Sequence, residues 1–277
     1  MTALADILKQ HRSRFLTRYQ SQLLPGHHRA LQALTDCRSG AYGETLWQCE
    51  QCSDTVRVPI SCGHRSCPRC QHHEATAWLS RQTDKLLPVN YFLLTFTLPV
   101  QLRSVAWRHQ RLVFDCLFRA VSQTLKQFAA RSAHLGGQAG ITLVLHTHNR
   151  RLDFHPHIHV VMPGGVIDRH HRRFKSLKGR YLFNEFALAK VFRAKCLHAM
   201  NRLDLTLPQQ VPQKWVAHCQ YAGKGEPALR YLARYLYRGV ISESSIVHAD
   251  NKQVTFTYRD SRTKTCLLYT SPSPRDS

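Results

Sequence analysis

Apolar and polar positions change period several times along the 277 residues, and each change marks an element. Residues 7–24 repeat their apolar positions at helical spacing beside a basic face, which predicts a helix. Residues 71–86 predict a second helix, ended by Pro88. The run from Tyr91 to Leu98 is aromatic and apolar, stops at Pro99, and reads as a strand. A long helical pattern covers residues 104–133 and closes at Gly136-Gly137. Residues 141–146 form the next strand, and the run beginning at His155 supplies its hairpin partner. A basic stretch, 169–180, reads as a loop. Asn184 then caps a helix reaching about residue 203. Residues 215–220 predict a short strand, 227–238 a helix and 254–258 a last strand. Strands interleaved with helices around a central hairpin predict an α+β fold built on an antiparallel sheet.

The hairpin strand carries chemistry as well as pattern. In His155-Pro156-His157-Ile158-His159 the alternate side chains of a strand share a face, so His157 and His159 present two imidazoles side by side. Two convergent imidazoles suit a divalent metal. The competing reading is that a chain with 18 histidines clusters some of them by composition.

Charge changes the picture next. Thirty-nine Lys and Arg against 17 Asp and Glu give a net +22, and a surface so unbalanced calls for a polyanion, usually nucleic acid. A generic basic protein fits the same number. No apolar run approaches a membrane span and the N-terminus has no leader pattern, so a cytoplasmic location is expected.

Six of the ten cysteines fall between Cys37 and Cys70, a clustering that reads as metal ligation rather than disulfides. Cys49 and Cys52 form one CxxC knuckle, Cys67 and Cys70 another. Each knuckle brings two thiolates onto one ion, and two knuckles complete a closed tetrahedral zinc site. Cys37, Cys62 and His64, or His72 and His73, are candidates for a second site. The alternative for Cys37 and Cys62 is simple burial.

In residues 229–238, Leu229, Leu232, Ala233 and Leu236 make one apolar helical stripe. Tyr231 and Tyr235 are i,i+4 neighbours off that stripe, flanked by Arg230, Arg234 and Arg238 as phosphate-binding candidates. A tyrosine hydroxyl attacks a phosphodiester when a metal and arginines offset the developing charge. An amphipathic helix with aromatic surface residues is the plainer alternative.

Together these motifs resemble the insertion sequence 91 family of two-tyrosine HUH transposases. The resemblance rests on the cysteine module with Ser61-Cys62 and Cys67-Pro68-Arg69-Cys70, and on the histidine strand ending at Gly164-Gly165. It includes Tyr231-Leu232-Ala233-Arg234-Tyr235 with Arg238-Gly239-Val240-Ile241-Ser242, and residues 254–260. It implies an HUH-type antiparallel sheet with flanking helices over residues 89–265, preceded by a small helical zinc-binding domain over 1–88. It also implies structural Zn²⁺, a catalytic Mg²⁺ or Mn²⁺ on His157 and His159, and Tyr231 and Tyr235 as nucleophiles. These would nick and rejoin single-stranded DNA at element ends and in target DNA by rolling-circle-like transposition. A bacterial protein associated with the nucleoid when bound to DNA follows. A third metal ligand is expected, with Gln220 and Glu226 as weak candidates, and His155 drops to a supporting part. The family often has Arg-His before Cys-Pro, whereas Arg65-Ser66 stands here, which puts His64 as a ligand in doubt. A rolling-circle replication initiator and a non-catalytic zinc-dependent DNA-binding protein are the rival readings.

Residues 266–277 read as foreign. Their back-translation resembles a sequencing-library adapter in frame, which predicts that the native protein is truncated near Thr265 and that Cys266 has no role, and puts the activity of this copy in question although its nuclease motifs are intact. The coding DNA decides it.

Overall fold

The computed structural model describes residues 4–149, 153–203, 205–236, 243–250, 253–259 and 266–271, leaving aside the side chains of 71–73, 234–236, 258, 259, 266, 267 and 269–271. The chain divides into two compact units, Met1–Ala77 with Tyr237–Ser277, and Trp78–Leu236. The division falls between Ala77 and Trp78, and Trp78 and Leu79 pack with Val89 and Tyr91.

In the first unit, α1 (Leu4–Tyr19) precedes α2 (Pro25–Asp36), which was not expected from the pattern. Pro25 at the first helical position is pre-set for a start, while the helix predicted over 7–24 is α1, which ends at Tyr19 and passes into a 3-10 turn over Gln20–Gln22. β1 (Glu44–Gln48) and β2 (Thr55–Pro59) form an antiparallel hairpin with both CxxC residues Cys49 and Cys52 in its connection. α3 (Pro68–Thr83) begins one residue after Cys67.

The second unit is built on a four-stranded sheet in the order β4-β5-β3-β8, every neighbour antiparallel. These strands are β3 (Tyr91–Thr97), β4 (Thr142–His148), β5 (Phe154–Pro163) and β8 (Val216–Tyr221). The expected long helix is two, α4 (Arg103–Arg108) and α5 (Gln110–Arg131). They are separated at His109, whose φ of −125° and ψ of 48° leave the helical region with no proline or glycine to announce it. The stretch predicted as a basic loop contains part of a ribbon, β6 (Gly165–Asp168) with β7 (Arg173–Ser176). Its root is anchored by Asp168, 6% exposed, which accepts from Lys175 Nζ at 2.9 Å and His171 Nδ1 at 2.8 Å; these bonds hold its carboxyl well below the usual range. A Cβ on Gly165 would meet the Phe174 ring and lie 3.0 Å from the Lys175 carbonyl, so the ribbon closes only on glycine.

Period-2 alternation sorts the sheet into two faces. Phe92, Leu94, Phe96, Ile158, Val160 and Met162 enter the main core, covered by α5 and by α6 (Glu185–Asn201). Val113, Leu117, Val121 and Leu125 of α5 recur at helical spacing against Leu188, Phe192 and Met200 in that same core. Each such side chain, fully buried, contributes about 1.5–3 kcal/mol. As expected, Asn184 caps α6, accepting from the Ala187 amide at 2.9 Å. The opposite face carries Val144, His146, His157, His159 and Val161, and α7 (Glu226–Leu236) lies on it through Ala228, Leu229 and Leu232. α7 follows Gly225 at φ +95°, where a Cβ would sit 2.8 Å from Leu86 and Tyr91.

Back in the first unit, β9 (Ile246–Ala249), β10 (Val254–Arg259) and β11 (Cys266–Ser271) form a three-stranded antiparallel sheet. The segment read as foreign thus pairs along β10, from Arg259 opposite Cys266 to Val254 opposite Ser271. Among the described residues no helix is long and apolar enough to cross a membrane.

Candidate active site and metal centres

The sheet register brings three histidines together. His146 of β4 stands opposite His157 of β5, and His159 lies two residues further along the same face. Their ring centroids are 5.1 Å (His146–His157), 4.5 Å (His146–His159) and 4.9 Å (His157–His159) apart. One potential ligand atom from each lies within 4.8 Å of the others. His146 is not among the ligands that the sequence pattern points to. Its one signal was its place at the end of the predicted 141–146 strand. Gln220, exposed on edge strand β8, and Glu226, ion-paired with Arg230, are not in the cluster.

The rings are held as metal ligands usually are, by their other nitrogen. His157 Nδ1 donates to the His155 carbonyl at 2.6 Å, which leaves Nε2 with its lone pair. Thr95 Oγ1 lies 2.9 Å from His159 Nδ1. Burial, then the neighbouring imidazoles, push His159 down to about 3 and His146 down to about 4. Burial also lowers His157. All three are therefore neutral at physiological pH, the form that coordinates a cation. This donor set fits a divalent metal. His155 is outside this ligand group, although its ring centroid lies 5.3 Å from that of His157. Its ring takes a hydrogen bond from Arg103, and its carbonyl orients His157.

Tyr231, half-buried on α7, meets this cluster edge-on, its ring centroid 5.6 Å from that of His159 at 82°. Tyr235 and Arg234 lie one turn on in the same helix, but their side chains fall outside the described residues, as does the whole of Arg238. Arg230 is described, and it bonds Glu226 at 2.6 Å on the exposed side of α7.

In the first unit, four cysteines converge: Cys37, Cys62, Cys67 and Cys70, with all sulfurs within 4.8 Å. Cys70 Sγ is 3.5 Å from the sulfurs of both Cys37 and Cys62. A tetrahedral zinc with Zn–S bonds of about 2.3 Å has sulfurs about 3.8 Å apart, so the cluster is near the size of a zinc site. Burial opposes ionisation of Cys70, but hydrogen bonds from Cys37 and Cys62 outweigh it and bring the thiol down to about 7.

This differs from the expected pairing of two knuckles. Cys49 and Cys52 are exposed beyond the tip of the β1–β2 hairpin and stand outside the four-sulfur cluster. Cys37 and Cys62, expected at a second site or merely buried, stand in it instead. Backbone amides of Cys52 and Gln51 lower Cys49, so that pair keeps the form of a knuckle on its own. His64 stays beside the cluster, its amide 3.5 Å from Cys62 Sγ and its Nδ1 accepting from the Ser66 amide. His72 and His73 lie in α3 with side chains outside the described residues.

Two family models match separate stretches, a transposase zinc-binding domain over residues 7–98 and one described as "Putative transposase" over residues 140–271. The "Putative transposase y4qJ" of Sinorhizobium fredii is 30% identical across 93% of this chain and 70% of its own length. The chain belongs to the insertion sequence 91 family of transposases. The transposase for insertion sequence element IS801 of Pseudomonas savastanoi pv. phaseolicola is 28% identical over 82% of this chain and 59% of that protein. Among solved structures, the conjugative relaxase TrwC in complex with DNA matches 44% of this transposase and 48% of the relaxase chain. The identity is 22% and the TM-score 0.35.

Proposed function

We propose that this transposase nicks and rejoins single-stranded DNA at the ends of its element, with Tyr231 as a nucleophile beside a divalent ion held by His146, His157 and His159. The observation that carries the reading is the 5.6 Å approach of Tyr231 to His159, on the helix that packs against the histidine face. A Mg²⁺ or Mn²⁺ ion, when bound, supplies positive charge against a non-bridging phosphate oxygen. The Tyr231 oxygen then forms a bond to phosphorus while the bond from phosphorus to the 3′ oxygen breaks. The phenolic proton leaves to solvent and the freed 3′ oxygen takes one up. The product is a 5′-phosphotyrosine and a free 3′ hydroxyl, and reversal on another 3′ hydroxyl rejoins the strand.

Tyr235, one helical turn on, is the second nucleophile in this reading, with Arg234 and Arg238 gripping phosphate. Arg230 joins them by exchange. Its exposed pair with Glu226 is worth only about 0.3–0.5 kcal/mol, which a phosphate readily displaces. Incubation with a single-stranded oligonucleotide from the element end is expected to give cleavage with Mn²⁺ and none with excess chelator. Equal cleavage in chelator would count against the histidine-bound ion.

The zinc in this proposal sits on Cys37, Cys62, Cys67 and Cys70. Cys67→Ser is expected to remove about one zinc per chain by elemental analysis, because three thiolates hold the ion far less tightly. Cys49→Ser is expected to leave that zinc in place. The reverse pattern would return the site to the two-knuckle arrangement.

A further inference from the structure

Beside the start of β5 lies a pocket that the nuclease chemistry does not use. It is an open surface depression with a volume of about 520 Å³, lined by Arg103, Ser104, Trp107, Arg108 and Phe154. Trp107 is an indole 52% exposed at the last turn of α4, standing edge-on to Phe154 at 5.0 Å and 80°. Large exposed aromatics held rigid by a neighbouring ring are costly in water and suited to stacking. Arg108 is exposed, bonded only weakly to the Ser104 carbonyl at 3.4 Å. Arg103 bonds His155, yet its buried Nε has no hydrogen-bond partner among the described residues. No carboxylate pairs with either arginine in the described ion pairs.

We propose that this pocket is a nucleotide subsite for the single-stranded DNA substrate, in which a base stacks on Trp107 with Phe154 at its edge, and its phosphate lies against Arg108 and Arg103. Aromatic faces stack on any base, and guanidinium groups track the backbone, the combination by which proteins hold single strands without reading sequence. A net +22 chain makes the pocket's positive charge complementary to that strand. Continuity with the metal centre runs through one residue: Arg103 bonds the His155 ring, and the His155 carbonyl takes the Nδ1–H of His157. The pocket thus joins the end of β5 that carries the histidines. Duplex DNA, with its bases already stacked, has no free face to offer Trp107.

The subsite rests on the proposed nuclease reading for its ligand, so its test reads binding separately from cleavage. The full chain, in chelator, is titrated by fluorescence anisotropy with labelled single-stranded oligonucleotides carrying one abasic sugar at successive positions. One position is expected to bind about fivefold or more weakly than the intact strand, the loss of one stacked base. In Trp107→Leu the intact strand is expected to bind about fivefold more weakly and the abasic scan to become flat. Arg108→Gln should lower the slope of log affinity against log salt by about one. A flat scan in the unaltered chain overturns the subsite, whatever the variants do. A flat scan with Mn²⁺-dependent cleavage intact leaves the nuclease standing without the subsite. A base-dependent scan that Trp107→Leu flattens, in a chain that never cleaves, keeps the subsite and removes the nuclease; a base-dependent scan that Trp107→Leu leaves unchanged overturns the subsite.

Discussion

Replacing His146 by alanine is expected to weaken Mn²⁺ binding about a hundredfold or more and to bring metal-dependent cleavage down with it. Loss of an outer-shell partner alone commonly costs 10–100-fold in metal affinity, and His146 belongs to the proposed inner set. Its depressed basicity, down to about 4, makes it a ready ligand across neutral pH rather than a proton carrier. Isothermal titration with Mn²⁺ reads the effect directly. His155→Ala is the matched control: it removes the ring that Arg103 holds but keeps the carbonyl that orients His157, so a smaller loss is expected. Equal losses in the two variants would place His146 outside the coordination sphere.

The second large effect belongs to Tyr231→Phe. The ring that packs beside His159 and against the Ala228–Leu232 side of α7 is retained, so folding and metal affinity are expected to hold. Only the hydroxyl is lost. Removing a covalent nucleophile elsewhere costs about 10⁶-fold, so covalent attachment to DNA through this residue is expected to vanish from detection. A Tyr235→Phe companion separates the two phenols. With Tyr231 facing the histidines, the first nick is expected to survive that change and the second strand transfer to fail.

What could be read from the sequence followed from short-range periodicity. His157 and His159 are two apart in a strand, so a shared face was legible without knowing any partner strand. The same holds for the helical stripe of α7 and the Asn184 cap. His146 was invisible for the opposite reason. Its place beside His157 depends on a β4–β5 register that shifts between His146 and His148, and a bulge leaves no mark in a local pattern. The grouping of the cysteines also depends on contacts that local spacing does not carry. A CxxC spacing says that two thiols can meet one ion, but not which knuckle meets which. The β1–β2 hairpin carries Cys49 and Cys52 outward, while Cys37 at the end of α2 reaches Cys70. In β6–β7 a run of basic residues hid a ribbon whose pairing depends on Gly165 and on buried Asp168. The break at His109 had no glycine or proline to betray it, and it sets Trp107 and Arg108 at a helix end, where they line a pocket.

In the proposed reaction a tyrosine beside the three-histidine centre takes up the DNA phosphate. This step is tested most directly by trapping the adduct. The full chain is incubated with a single-stranded element-end oligonucleotide and Mn²⁺, digested, and the nucleotide-bearing peptide is sequenced by mass spectrometry. The account predicts a 5′-phosphotyrosine on Tyr231, absent when chelator replaces the metal. An adduct on a residue outside α7, or strand cleavage with no covalent species at all, would contradict it.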